Sequence, residues 1–164
     1  MALNEPGLMT ELLTNRSNLG NVPATAGQKM ATAVANFWTT GQGPGGSSVI
    51  GAPAGPIMAP GIIGAYSTNA LEAINAKKIA AAIDAAALAL ILVGGRYGAH
   101  IAVITPGPAG LASGLQRIWE SQQVVPALVA KKEAKEIKNY TTQCIANGTG
   151  IPSVPIPPQT GPIT

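Results

Sequence analysis

Gly41, Gly43 and Gly46 fall at G-x-G-x-x-G spacing within Gly41-Gln42-Gly43-Pro44-Gly45-Gly46. In a dinucleotide-binding unit that string follows a strand and opens a helix, so that the helix N-terminus meets a pyrophosphate. Here a helical stripe precedes it and a proline sits inside it. Ser47-Ser48-Val49-Ile50-Gly51-Ala52-Pro53 then offers no helix start. The fingerprint therefore fails, and no G-x-x-x-x-G-K-[ST] phosphate loop occurs. His100 is the only histidine and Cys144 the only cysteine. A metal site needs several ligands at matched spacing, and nothing pairs with His100 in that way, so it reads as a hydrogen-bonded or interface residue. Cys144 and His100 make a nucleophile–base pair only if the fold brings them within hydrogen-bond reach. A single cysteine leaves no internal disulfide.

Seven carboxylates remain. Glu5, Glu11, Glu133 and Glu136 lie on helical stretches that read as exposed. Asp84 stands alone in the apolar run Ile79 to Val93, where an isolated buried carboxylate is costly. It either faces water on the polar side of its helix or pairs with Arg96 or Arg117. No catalytic residue, metal site or cofactor is expected.

The elements that would position these residues are written mainly in alanine, glycine and proline. Of 164 residues, 46% are hydrophobic but only 10% are charged, against about 25% charged in ordinary soluble domains. That is too little charge for a normally solvated surface: either the monomer is unusually sticky or, the preferred reading, much of its surface is covered by partners. The net charge of +3 is small. Four of the basic residues sit in the mixed run Lys131-Lys132-Glu133-Ala134-Lys135-Glu136-Ile137-Lys138, which reads as a solvated helix face, and no nucleic-acid contact is required. The opening Met1-Ala2-Leu3-Asn4-Glu5-Pro6 lacks the pattern of a signal peptide. Without such a signal the sequons at Asn15, Asn139 and Asn147 carry no weight.

A first helix is capped by Asn4, admits Pro6 in its first turn, carries Leu8, Leu12 and Leu13, and stops near Gly20. A second begins near Thr25, with Met30, Val34, Phe37 and Trp38 on one face, and ends at Gly41. From Met30 to Leu71 there is no charged residue, and the stretch from Gly41 to Gly61 is half Gly and Pro. This predicts a long irregular strap over residues 40–66, lying against its own subunit or a neighbour. Helical character returns near Asn69, with Glu72 three residues on, and runs to Gly94-Gly95. Residues 97–104 read as a strand or the start of another helix. A helix follows from Ala109 to about Gln122, and a last one from Pro126 to about Cys144. Asn147-Gly148-Thr149-Gly150 reads as a turn. Residues 151–164 hold five prolines and no charge, which predicts an extended, polyproline-like segment: an arm that docks on a partner, or a frayed terminus. Met30 to Trp38 matches Leu111 to Trp119 in pattern, as two helices would that each pack a Trp on one core. Phe37, Trp38, Ile118 and Trp119 are accordingly placed in the core.

The segment 79–95 raises a different possibility. It carries one charge and would be about 26 Å long as a helix, near the lower limit for a bilayer span. Asp84 would cost about 2.5–3.5 kcal/mol there, and much of the apolarity is alanine. The alternative reading is thus a small membrane-active, holin-like protein.

The order of these features, from the Leu-rich first helix through Phe37-Trp38, the Gly/Pro-rich strap and Lys138-Asn139-Tyr140-Thr141-Thr142 into Pro152-Ser153-Val154-Pro155-Ile156-Pro157-Pro158-Gln159-Thr160-Gly161-Pro162-Ile163, resembles small Ala/Gly/Pro-rich virion structural proteins of tailed phages, particularly those with contractile tails. The resemblance spans the chain in style and rests on composition and element order. It implies a non-enzymatic component of tail, baseplate or neck, resident in the virion after assembly in the host cytoplasm. Its partners would be other virion proteins and copies of itself. The resulting expectation is a mainly α fold of four to five helices: one domain over 1–150 containing the strap, then an arm over 151–164. Partner contacts are expected from Ile50, Ile57, Met58, Ile62 and Ile63 in the strap, and from Val154, Ile156, Pro157, Pro158 and Ile163 in the arm.

Overall fold

A computed structural model describes residues 3–18, 20, 22–68, 70–95, 100–121, 125–148 and 160–164. The fold is mainly helical, with six α-helices and one five-stranded antiparallel sheet among the described residues: α1 (Glu5–Ser17), α2 (Pro23–Thr39), β1 (Ser48–Ile50), α3 (Ala54–Ser67), α4 (Glu72–Leu88), β2 (Ile91–Val93), β3 (His100–Ile104), α5 (Ala109–Glu120), α6 (Pro126–Gln143), β4 (Ile145–Gly148) and β5 (Thr160–Pro162).

Local chemistry sets the helix starts. The Asn4 side chain accepts from the Gly7 N–H at 3.0 Å, and Glu5 sits in the first turn, where the helix dipole favours an acid. Proline occupies the first turn of α1, α2 and α6, where a missing N–H leaves no gap. Asn69, the expected cap of the fourth helix, lies outside the described residues. The helix starts at Glu72, and Leu71 at the cap position makes no side-chain cap bond.

Each helix packs on the next in sequence, and α6 returns to pack on α1, so the six form a closed ring around one core. Trp38, Met30, Met58, Ile62, Ile79, Ile83, Leu115 and Ile137 fill its centre. The ring is tight because small residues sit at the crossings. A Cβ on Gly27 of α2 would lie 2.8 Å from the Ile63 backbone, and one on Gly61 of α3 would lie 2.7 Å from the Ala82 methyl. Short connections join α1 to α2, α3 to α4 and α5 to α6, whereas the strands occupy the segments after α2, α4 and α6. The sheet therefore sits where the even-numbered helices end. The start of α1 lies there too, with the Asn4 N–H bonded to Thr40 Oγ1 at 2.9 Å.

The sheet runs in the order β1-β2-β3-β4-β5. Val49 pairs with Leu92, and Val103 with Ala146, and all four point into the core. A register shift between His100 and Ala102 marks a bulge in β3. Gln42 joins the two edges of the sheet. Its backbone exchanges N–H···O bonds of 2.7 and 2.8 Å with Thr164, and on its other side it bridges Ser48 of β1. Among the described residues the backbone ladder thus runs from β1 round to β5 and back through Gln42, with β2 and β3 joined at the single pair Leu92–His100.

The expected strap over 40–66 is not irregular. Residues 54–67 are α3, preceded by β1, so there are six helices where four to five were expected. Pro60 inside α3 costs about 3 kcal/mol in a helix interior. Burial of Met58 and Ile62 offsets it at about 1.5–3 kcal/mol each. Pro56 and Pro60 lie on the exposed side, where water can satisfy the carbonyl that Pro60 leaves without a donor. The helix expected to reach Gly94 stops at Leu88. Ile91, Leu92 and Val93 instead alternate out, in, out as β2, because β1 supplies a ladder partner. Gly94 and Gly95, at φ 71° and 75°, turn the chain after it. The turn read at Asn147-Gly148 belongs to β4, and residues 160–164 are stitched into the sheet rather than forming an arm separate from the domain.

Candidate interaction surface

Of the residues expected at partner contacts, the structure brings only some to the surface. Ile50 on β1 and Ile57 on α3 are 38% and 45% exposed. Met58 and Ile62 are core residues, because the helix that replaced the strap turns them toward α2 and α4, and Ile63 is half-buried against the same core. Ile163 is fully buried, seated over Gly41 beside Leu3. Met58, Ile62 and Ile163 thus do not offer free surface in this structure. Val154, Ile156, Pro157 and Pro158 lie outside the described residues.

The solvent side of the sheet presents aliphatic groups that sequence reading did not single out. Ile50 pairs with Ile91 and Ile104 with Ile145, and all four are exposed; Val93 beside Ser48 and Pro162 beside Ile145 extend the same side. Among the described residues no charged group stands on this side, and Ser48, Asn147 and Thr160 are its polar members. The solvated side of an antiparallel sheet is ordinarily polar, so an aliphatic one is a feature to be covered. The signal in the sequence was the run Ile91-Leu92-Val93, whose two outer residues share one side if it is a strand. Reading it as helix hid that. A second apolar feature is a groove of about 710 Å³ near the starts of α1 and α6, with Pro6, Met9, Val125 and Leu128 on its walls and Glu5 and Lys131 at its rim.

Several charged and polar groups are used within the chain. Glu133, expected on a solvated face, is buried. It accepts from Arg16 Nε at 2.9 Å and from the Trp119 indole at 2.6 Å, and its second contact to Arg16 makes the pair bidentate. Burial pulls the Arg16 guanidinium down, but the charge of Glu133 and its hydrogen bond outweigh this and leave it raised. Tyr66, whose hydroxyl donates to the Met30 sulfur at 3.1 Å, is pushed up to about 12, first by burial and then by Glu133. Asp84 is half-exposed, so it keeps contact with water, and it does not pair with Arg117, whose Nε–H reaches the Ser113 carbonyl of its own helix; Arg96 lies outside the described residues. Asp84 accepts from the Tyr140 hydroxyl at 2.7 Å. Burial and that bond both raise the Tyr140 phenol.

Cys144 and His100 do not meet along the ladder. Cys144 precedes Ile145, which pairs with Ile104, while His100 pairs with Gly148 at the other end of the same two strands. The Cys144 thiol is buried and pushed up to about 12 by that burial, opposite to what a nucleophile requires. The glycine string at 41–46 forms a 3-10 turn and the Gln42 bridge, and no helix follows it directly. Among the described residues no three His, Cys, Asp or Glu gather to hold a metal, and no helix is long and apolar enough to cross a membrane. The segment 79–95 is divided between α4 and β2. No family model matches the chain, and no curated protein and no solved structure matches it either.

Proposed function

We propose that this chain is a non-enzymatic structural subunit of a tailed-phage particle, placed in tail, baseplate or neck, where it bridges neighbouring subunits. The observation that carries the assembly part of this reading is the uncharged aliphatic side of the sheet, with the pairs Ile50–Ile91 and Ile104–Ile145 exposed. A free monomer would keep such a side wet at a cost of about 25 cal/mol per Å², and a subunit in a lattice of like proteins covers it. A charge fraction of only 10% serves the same end, since few charges need be desolvated when surfaces meet. The phage part rests on the resemblance in element order and composition. Many modest contacts of this kind add through multivalency.

The test is whether the chain copurifies with intact virions at a fixed stoichiometry through density-gradient separation. Constant copy number per particle is the expected result. Loss of the chain from purified particles would sink the proposal.

A further inference from the structure

We infer that β5 is an exchangeable strand: in the assembled state, residues Thr160–Thr164 of one copy fill the slot between β4 and Gln42 of a neighbouring copy. The inference rests on the reading of the chain as a multi-copy subunit. The slot is built by backbone groups that have no other ladder partner. Ile145, Ala146 and Asn147 pair with Pro162, Gly161 and Thr160, the Cys144 carbonyl accepts from the Ile163 N–H at 3.1 Å, and Gln42 bonds Thr164 in both directions. A single side chain anchors the strand. Ile163 is fully buried in a socket that exists because residue 41 is glycine: a Cβ there would lie 3.2 Å from Ile163 and 2.9 Å from Leu3. Gly161 likewise admits Pro44, since a Cβ would lie 2.9 Å from that ring. Backbone pairing with one apolar anchor is a recognition mode that works identically within a chain or between chains.

The connection is far longer than the pairing needs. β4 and β5 are antiparallel neighbours, for which a loop of about two to five residues suffices. Residues 148–159 join Asn147 to Thr160 instead. A connection of that length can reach about 40 Å when extended, enough to deliver β5 to an adjacent subunit. Exchange makes and breaks the same bonds, so concentration decides between the two forms. A tethered strand sees its own slot at an effective concentration of about 1 mM. At micromolar concentration the closed monomer prevails, and in a packed assembly, where neighbouring slots exceed that value, exchange prevails.

Single-cysteine chains test this directly. Gln42→Cys and Thr164→Cys are placed in separate, differently tagged full-length chains carrying Cys144→Ala. The two are mixed under native conditions and mildly oxidised, so that a disulfide joining the two tags can form only between copies. The fraction of chains in the doubly tagged covalent dimer is expected to increase about tenfold for each tenfold rise in concentration below about 1 mM, and to dominate in assembled material. A double variant carrying both cysteines in one chain should shift from monomeric to ladder-forming over the same range. Replacing residues 149–159 by a short turn, with β4 kept whole through Gly148, should hold β5 in its own slot, leaving thermal unfolding intact and abolishing the ladder. A monomeric product at every concentration and within particles, or a ladder that survives the shortened connection, would overturn the inference. If the chain is found in virions but links only within itself, exchange fails and the proposed function stands. If it links between copies but is missing from virions, exchange stands and the proposed function fails.

Discussion

Two tryptophans and one carboxylate explain much of how the helices are locked. Trp38 of α2 donates to Thr141 Oγ1 at 3.0 Å, and Trp119 of α5 donates to Glu133, so both indoles reach over to α6. The matched patterns ending at Trp38 and Trp119 therefore reflect two helices anchored on a third. Glu133 also holds Arg16 of α1, so Glu133→Ala strands a guanidinium and an indole N–H together. Removing one partner of a buried pair costs about 3–5 kcal/mol. Because Arg16 is 30% exposed, a loss of about 2–3 kcal/mol is expected here, read as a fall in the urea midpoint at unchanged slope. Alkaline pH tests the buried acids. Tyr66 and Cys144 keep their protons to about 12 in the fold, against 10.0 and 9.0 unfolded. Between those values the unfolded chain has lost protons that the folded chain retains, so stability falls as pH rises above about 9. Unfolding measured from pH 8 to 11 should show that decline, and Tyr66→Phe with Cys144→Ala should make it shallower. An equally steep decline in the double variant would place its origin elsewhere.

At the scale of elements, the small residues decide how closely helices approach. Gly27 faces the Ile63 backbone at a crossing, whereas Gly64 of α3 has nothing within 4 Å of where a Cβ would stand. Gly27→Ala should force α2 from α3 and cost about 1–3 kcal/mol. Gly64→Ala should stabilise the chain by about 0.5–1 kcal/mol through helix propensity and a less flexible unfolded state. Opposite shifts in thermal midpoint are the expected readout. The starts of α1 and α6 were legible in the sequence, because Asn4, Pro6 and Pro126 act locally. The path of residues 54–67 was not. Pro56 and Pro60 argue against a helix on local grounds, and only the burial of Met58, Ala59 and Ile62 against neighbouring helices reverses that. Ile91-Leu92-Val93 was likewise ambiguous, since its strand form depends on β1, some forty residues earlier in the chain.

For the whole molecule, the ring of helices buries its apolar residues inward while the sheet leaves Ile50, Ile91, Ile104 and Ile145 outward. Ile104→Lys with Ile145→Lys should leave folding within about 0.5–1 kcal/mol of the parent, as expected for surface positions. The same change should reduce incorporation into particles severalfold, since it sets two charges where a dry contact would form. Circular dichroism and the copy number per virion check the two halves of that expectation. Normal incorporation would remove the sheet from the interface. Deleting residues 160–164 is a different experiment, because it removes Ile163 from the core and opens the ladder at Gln42. It should lower stability by about 2–4 kcal/mol in dilute protein, on the scale of losing a large buried aliphatic side chain, visible as a drop in thermal midpoint.

By itself the sequence determined the mainly helical class, the starts of α1 and α6, the core placement of Trp38, Phe37 and Ile118, and the shortage of charge. Those follow from local propensity, periodicity and composition, which neighbours in the chain decide. Tertiary structure alone decided that the Gly/Pro-rich stretch would contain a helix, that Glu133 would be a buried partner instead of a solvated charge, and that five short strands would join. Each of these depends on contacts between residues far apart in the chain, whose gain in burial or pairing outweighs the local preference. The glycines at dinucleotide-fingerprint spacing show the difference. Their spacing was legible, but their use, to seat Ile163 and to let Gln42 join the first strand to the last, exists only once residues 41 and 163 have met.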